Sequence, residues 1–136
     1  MSTFNEELCV PIKSDSDIVE ARQKGRALAI QLGFSGSDPT VIAAAISEVA
    51  RNIVNHATRG EIVLSGIHES SRLGIQVLAR DEGPGIADIE QAMQYGYSSG
   101  KGMGVGLPGA KWLMDEFDIK SQVGKGTSVT MRKWVR

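Results

Sequence analysis

Apolar residues in this chain recur first every second position, then every third or fourth, then every second again, and those changes of period lay out its elements. Leu8, Val10 and Ile12 alternate with other residues and predict a short first strand. From near Asp17, whose spacing to Glu20 resembles a capping box, Ile18, Ala21, Gly25, Leu28, Ala29 and Leu32 fall on one face of a helix that Gly33 ends. Asp38-Pro39 supplies an N-cap followed by proline at the first helical position. Ile42, Ala45, Ile46, Val49 and Ile53 then form the inward stripe of a second helix, closed by Gly60.

The period returns to two in the next stretch. Strands are predicted from Glu61 to His68 and from Arg72 to Arg80, joined by the polar turn Glu69-Ser70-Ser71, with Leu73, Ile75, Val77 and Ala79 alternating in the second. A short helical stretch near Asp88 to Met93 follows, then a glycine-rich loop and a helix from Leu107 to about Glu116. Two last strands, roughly Asp118 to Val123 and Thr127 to Val135, flank the turn Gly124-Lys125-Gly126. Strands joined by such short turns must be antiparallel, and helices and strands come in blocks. The expected fold class is α+β, a two-layer sandwich with a mixed, largely antiparallel sheet and helices on one face. Cys9 alternates with strand residues and is expected to be buried, and Trp112 and Trp134 to pack the last helix and the last strand.

Composition narrows the class without naming an activity. With 136 residues, 41% hydrophobic and 23% charged, the chain fits one domain, residues 1–136, able to bury a core without staples. Lys and Arg number 15 against 16 Asp and Glu, so no basic field points to nucleic acid or to an anionic membrane. The single cysteine excludes an internal disulfide and a cysteine-cluster metal site. Neither a signal peptide nor an apolar run of membrane-spanning length is evident, so a cytoplasmic location is expected.

Two glycine clusters carry the first chemical signal: Asp81-Glu82-Gly83-Pro84-Gly85-Ile86 at a strand end, and Gly100-Lys101-Gly102-Met103-Gly104-Val105-Gly106-Leu107 ahead of a helix. Glycine belongs where main chain must approach a ligand or adopt positive φ, so the pair suggests an anionic nucleotide held from two sides. Gly104, Gly106 and Gly109 also fit a dinucleotide fingerprint, but that motif requires a preceding strand, and residues 95–100 do not form one. A Walker loop fails because Lys101 precedes glycine rather than serine or threonine. On the second helix, Glu48, Asn52, Asn55 and Arg59 fall on a stripe about a quarter-turn from the apolar one, at about 100° per residue. A carboxylate and amides one turn apart suit hydrated Mg²⁺ whose remaining ligands are phosphate oxygens. They equally suit a solvated helix flank.

The order of the pieces is more specific. Glu48-x3-Asn52-x2-Asn55-His56, then Asp81-x-Gly83-x-Gly85, then Gly100 to Gly106, then Gly124-x-Gly126-Thr127, resembles the N, G1, G2 and G3 boxes of the GHKL ATPase and kinase superfamily, which shares the Bergerat fold. The runs Ser47 to Asn52, Gly102 to Gly109 and Leu113 to Phe117 are most similar to the small bacterial anti-sigma and switch serine kinases, and the likeness covers nearly the whole chain.

That resemblance implies a protein serine/threonine kinase using ATP and Mg²⁺. Glu48 would be the catalytic residue that accepts the proton of an incoming serine or threonine hydroxyl, and Asn52 the magnesium-binding and nucleotide-binding asparagine, with Asn55 beside it. Asp81 would accept from the adenine amine, Gly83, Gly85 and Ile86 would approach the base, and Thr127 would complete the adenine pocket. Residues 95–106 would cover the phosphates, with Lys101 as their cation. Gly102, Met103, Gly104, Val105, Gly106 and Leu107 would present N–H groups and a helix N-terminus.

The partners implied are STAS-domain scaffold and antagonist proteins of a stressosome and a PP2C-type phosphatase regulator, with no nucleic acid and no membrane. A homodimer is left open. An anti-sigma factor that sequesters a sigma subunit carries the same boxes, and a non-catalytic ATP-gated adaptor is a third reading that Glu48 and Asn52 together oppose. The chain lacks a helical hairpin with a phosphoacceptor histidine before the nucleotide domain. His56 on the second helix is therefore expected to be a packing or hydrogen-bonding residue.

Overall fold

Burial of alternate residues draws the strands into one sheet, and burial of one stripe per helix lays the helices on it. The protein is described here from a computed structural model, which covers residues 7–57, 59–86, 89, 93 and 106–136. In chain order the elements are β1 (Glu7–Ile12), α1 (Asp15–Leu32), α2 (Asp38–His56), β2 (Gly60–Glu69), β3 (Arg72–Asp81), α3 (Gly106–Leu113), β4 (Glu116–Gln122) and β5 (Gly126–Trp134). The five strands lie in the order β1-β2-β3-β5-β4, and every neighbouring pair is antiparallel. The α+β sandwich expected from the sequence is present, and its sheet is wholly rather than largely antiparallel among the described residues.

Register explains the core. Val10 pairs with Ile62, Leu64 with Val77, and Ala79 with Val129, so these apolar side chains share one face of the sheet. Against that face α2 turns Ile42, Ile46, Val49 and Ile53, each 1% exposed or less, and α1 adds Ile18, Ala21 and Ala29. Each large apolar side chain so buried contributes about 1.5–3 kcal/mol relative to exposure. Among the described residues no helix is long and apolar enough to cross a membrane.

Several boundaries differ from expectation, each for a local reason. α1 begins at Asp15 with Ser14 as its N-cap, because the Asp17 carboxylate turns back to accept the N–H groups of Lys13 at 2.8 Å and Ser14 at 3.2 Å. Asp17 is thus the third helical residue, not the first. Ser37 rather than Asp38 is the N-cap of α2, and Gly60 opens β2 opposite Asp81 instead of closing the helix, which ends at His56. α3 stops at Leu113 and β4 starts at Glu116, earlier than expected. Asp115 pins the crossover: its N–H donates to the Arg132 carbonyl at 3.0 Å and its carboxylate accepts the Trp134 N–H at 2.9 Å. In the expected 88–93 stretch, the described Met93 N–H donates to the Ile89 carbonyl at 3.0 Å, one helical turn.

Three side chains sit otherwise than expected. Cys9 is exposed, because the strand alternation turns it to the sheet face opposite Val10 and Ile12, which the described helices do not cover. Trp112 is 79% exposed on α3, whose inward side is taken by Leu107 and Ala110. His56 is exposed on the last turn of α2 rather than packed. Trp134 does pack, at 3% exposed, with its indole N–H donating to Glu116 at 2.8 Å and the Arg72 guanidinium 3.9 Å over its ring.

Candidate active site

Helix α2 is the spine to which the other candidate segments attach. Its inward stripe fixes its rotation on the sheet, and that rotation sends Glu48 and Asn52 toward the flank shared with α3. Glu48 has a side chain only 14% exposed, and both of its oxygens are engaged. Oε2 accepts from Arg51 Nη1 at 3.2 Å, one turn along the helix. Oε1 accepts the backbone N–H of Gly106, the first residue of α3, at 3.0 Å. A carboxylate at a helix N-terminus is stabilised by the free N–H groups and the helix dipole there. Sequence distance hides this contact, since 58 residues separate its partners.

Asn52 is half-buried one turn beyond Glu48, and its amide has no hydrogen-bond partner among the described residues. Asn55 is exposed farther along the same flank, whereas Arg59, expected on the same stripe, lies beyond the helix end at His56 and is exposed. No group of three or more His, Cys, Asp or Glu side chains able to hold a metal occurs among the described residues. A single free amide oxygen fits the expected ion, because Mg²⁺ takes few protein ligands, keeps several waters and is completed by substrate phosphates.

The G1 segment leaves the end of β3 and turns immediately. Asp81 Oδ1 accepts the Gly83 N–H at 2.9 Å, which orients the carboxylate and leaves Oδ2 without a partner among the described residues. A Cβ on Gly83 would stand 2.6 Å from that of Ala57, just past the end of α2. The absent Cβ of Gly83 therefore makes room for the helix end, although the sequence reading assigned that room to a ligand. Gly85, at φ of +80°, and Gly126, at +124°, are likewise filled by protein: their Cβ positions abut the Gln122 and Asp81 backbones respectively.

These contacts join the G1 and G3 segments into one unit. Gly124 N–H donates to the Pro84 carbonyl at 2.8 Å. Ser121 is the hub that sequence reasoning missed. Its hydroxyl accepts the Ile86 N–H at 2.7 Å, donates to the Gly126 carbonyl at 3.1 Å, and lies 2.8 Å from the Thr127 hydroxyl. Thr127 is 7% exposed and pairs in register with both Asp81 and Ser121. A serine at an inward position of β4, where Phe117 and Ile119 set the apolar phase, was the available signal.

Asp81, Gly83, Gly85, Ile86 and Thr127 are thus brought together at the sheet end beside the last turn of α2, while Glu48, Asn52, Gly106 and Leu107 gather between α2 and α3. Leu107 is buried in the core at 4% exposed, so of the α3 start it is the Gly106 N–H that faces Glu48. Lys101, Gly102, Met103, Gly104 and Val105 lie outside the described residues.

Beyond the site, several titrating groups are displaced from their ordinary values. Burial pushes the Asp115 carboxyl up, but the Arg136 guanidinium, the Trp134 N–H and Lys133 together hold it below the usual carboxylate range. A hydrogen bond to Glu61 at 3.0 Å, with some burial, pushes the Cys9 thiol up, and Glu61 is held down by that bond and by Arg80.

Comparison with known proteins converges on one family. The profile of the histidine kinase-like ATPase domain matches residues 13–133. Serine/threonine-protein kinase RsbT of Bacillus subtilis (strain 168) is 46% identical over 133 residues, covering 98% of this chain and 100% of that protein. Anti-sigma F factor of Thermoanaerobacter sp. (strain X514) is 34% identical over 126 residues, covering 85% of this chain and 83% of that one. Among solved structures, the RsbU and RsbW domains of a Mycobacterium tuberculosis protein superpose with a TM-score of 0.62 at 24% identity, over 95% of this chain and 32% of that one. The mycobacterial sensor histidine kinase MprB follows at 0.59 and 14% identity, over 96% of this chain and 97% of that one, a likeness of fold.

Proposed function

The chain belongs to the histidine kinase-like ATPase domain family, and on that premise we propose that it is a protein serine/threonine kinase of the partner-switching type, one domain over residues 1–136, using ATP and Mg²⁺ in the cytoplasm. The observation that carries the reading is the pairing of Glu48, largely buried and hydrogen-bonded to the first N–H of α3, with Asn52 one turn away, in a chain so similar to a serine/threonine kinase.

Phosphoryl transfer asks a protein chiefly to position groups and stabilise charge. The acceptor hydroxyl oxygen forms a bond to the γ-phosphorus, the bond from that phosphorus to the bridging oxygen breaks, and ADP leaves. The hydroxyl proton passes to the Glu48 carboxylate, which Arg51 orients. Asp81, braced by the Gly83 N–H, accepts from the adenine amine and repels a guanine carbonyl. Thr127 and Ile86 border the base, and Gly106 and Lys101 serve the phosphates, with the neighbouring residues 102–105. Asn52 would hold Mg²⁺, which would neutralise phosphate charge there.

The proposed substrates are STAS-domain proteins of a stressosome, whose phosphorylation frees the kinase to engage a PP2C-type phosphatase regulator in a sigma-factor pathway. The test is incubation with ATP, Mg²⁺ and candidate STAS proteins, followed by mass spectrometry for phosphoserine or phosphothreonine; no transfer to any of them sinks the proposal. A second reading, sequestration of a sigma subunit with kinase activity as a partner selector, is supported by the 34% identity to an anti-sigma F factor. Co-purification with a sigma subunit rather than a STAS protein would favour it. A homodimer is compatible with either reading and is checked by sedimentation.

A further inference from the structure

At the sheet end beside the last turn of α2, Asp81 pairs in register with Thr127 and Thr127 with Ser121, so three polar side chains leave one face of β3, β5 and β4 side by side. Two residues along, the same face carries Ala79, Val129 and Ile119 in the same order, all in or against the core. A polar row thus replaces an apolar one at this level. Hydroxyls so placed need partners, since an unsatisfied buried hydroxyl is costly.

Counting protons shows which way these hydroxyls point. A serine hydroxyl has one proton to give and two lone pairs with which to accept. Around Ser121, the Ile86 N–H at 2.7 Å can only donate and the Gly126 carbonyl at 3.1 Å can only accept. The Ser121 proton therefore goes to Gly126, and the contact at 2.8 Å to the Thr127 hydroxyl forms when Thr127 donates. No other arrangement satisfies all of these contacts at once.

That assignment leaves Thr127 with lone pairs alone for whatever lies beside it. Thr127 is 7% exposed, so little water competes for them. Its neighbour Asp81 is an acceptor too, with Oδ1 taken by the Gly83 N–H and Oδ2 without a partner among the described residues. Side by side, the two suit an amino group, which brings two N–H donors, and oppose a carbonyl oxygen.

We propose that Ser121 is a positioning residue for base selection: by taking the Thr127 proton it keeps Thr127 an acceptor beside Asp81, and the pair admits a purine with an amino group and turns away one with a carbonyl at the same carbon. This rests on the ATP reading of the site and adds to it a residue of β4 that acts through Thr127. Without the Ser121 hydroxyl, Thr127 is a free rotor. Its proton can then turn toward a carbonyl, and the choice between bases is weakened.

The experiment compares ATP with inosine triphosphate, whose base carries the carbonyl in place of the amine. Affinities for both are measured by calorimetric titration in Mg²⁺ for the parent, Ser121→Ala, Ser121→Thr, Thr127→Val and the double variant Ser121→Ala/Thr127→Val. The parent should prefer ATP, and Ser121→Ala should cut that preference by about tenfold, the scale of one hydrogen bond gained for one base and lost for the other. Ser121→Thr keeps a hydroxyl and should restore the preference. In the double variant the ratio should match that of Thr127→Val, because no hydroxyl remains to orient. Ser121 also ties Ile86 to Gly126, so a merely structural role would weaken both nucleotides together and leave their ratio unchanged. That result in a folded Ser121→Ala overturns the proposal and leaves the ATP reading intact. Melting temperature is read alongside; should Ser121→Ala fail to fold, Ser121→Cys, which offers a weaker acceptor, takes its place and its ratio decides. A parent that binds both nucleotides equally overturns the proposal together with the role given to Asp81. A parent that binds neither overturns the ATP reading and the proposal with it.

Discussion

Replacing Gly126 by alanine tests whether the β4–β5 turn holds the strand end that carries Asp81. Gly126 has φ of +124°, and its missing Cβ faces the Asp81 carbonyl. Two penalties add. A left-handed conformation costs a residue with a side chain about 1–2 kcal/mol. Forcing a methyl into a packed position costs about 1–3 kcal/mol more. The expected loss is about 2–5 kcal/mol, which at about 3 °C per kcal/mol for a chain of this size lowers Tm by about 6–15 °C. Gly124→Ala separates the two contributions, because Gly124 has φ of +83° but nothing within 4 Å of its Cβ position. That variant should lose only the conformational part, about 1–2 kcal/mol. Since the clash falls on the backbone of Asp81 itself, ATP affinity should drop in Gly126→Ala and hold in Gly124→Ala. Thermal denaturation followed by circular dichroism and calorimetric titration with ATP read both effects. A Gly126→Ala protein that melts with Gly124→Ala and binds ATP as the parent does refutes the argument.

Glu48→Gln should retain ATP binding, since the amide oxygen can still accept the Gly106 N–H, while phosphotransfer falls by about 10²–10⁴-fold, the usual contribution of general base catalysis; undiminished phosphorylation removes Glu48 from that role. Asn52→Ala should weaken nucleotide binding in Mg²⁺ more than in EDTA, and equal losses in both would count against a metal ligand. Asp115→Asn keeps an acceptor for the Trp134 N–H but loses the pairing with Arg136 and Lys133, so it should cost about 1 kcal/mol at neutral pH. Because the folded carboxyl is held low, its stabilisation is fully present above the ordinary Asp value of about 3.9 and is lost as the pH falls through the lowered folded value. The difference in Tm between parent and Asp115→Asn should therefore close on acidification; a gap that persists below that range disproves the linkage.

Phase was legible in the sequence, and ends were not. Ile42, Ala45, Ile46, Val49 and Ile53 named the buried side of α2 because one physical cause, contact with the sheet, selects them all. Where an element stops depends on single polar contacts instead. Asp17 reaching back to Lys13, and Asp115 tying β5 to the chain beyond α3, have no periodic trace. Alternation put Cys9 on the opposite face from Val10 and Ile12, but burial there is uneven, since Cys9 is exposed while its cross-strand partner Val63 is buried. In the site, Glu48, Asn52 and Asp81 stood out by spacing within ordered boxes. The Glu48 to Gly106 contact and the Ser121 hub did not, since both join elements far apart in the chain. The glycines were found for a reason the structure revises: Gly83, Gly85 and Gly126 yield space to Ala57, Gln122 and Asp81.

The bond from the Gly106 N–H to Glu48 makes one proton the object of two claims. A peptide N–H serves a single acceptor at full strength, and the start of a helix is where a phosphate oxygen also seeks it. With no phosphate present the claim is uncontested, and the carboxylate that would deprotonate a hydroxyl is busy elsewhere. When a phosphate takes the N–H, the Glu48 carboxylate loses that partner and is free to accept another donor. Under the proposed mechanism, the same event that delivers the phosphoryl donor arms the base, so an empty enzyme is quiet by construction.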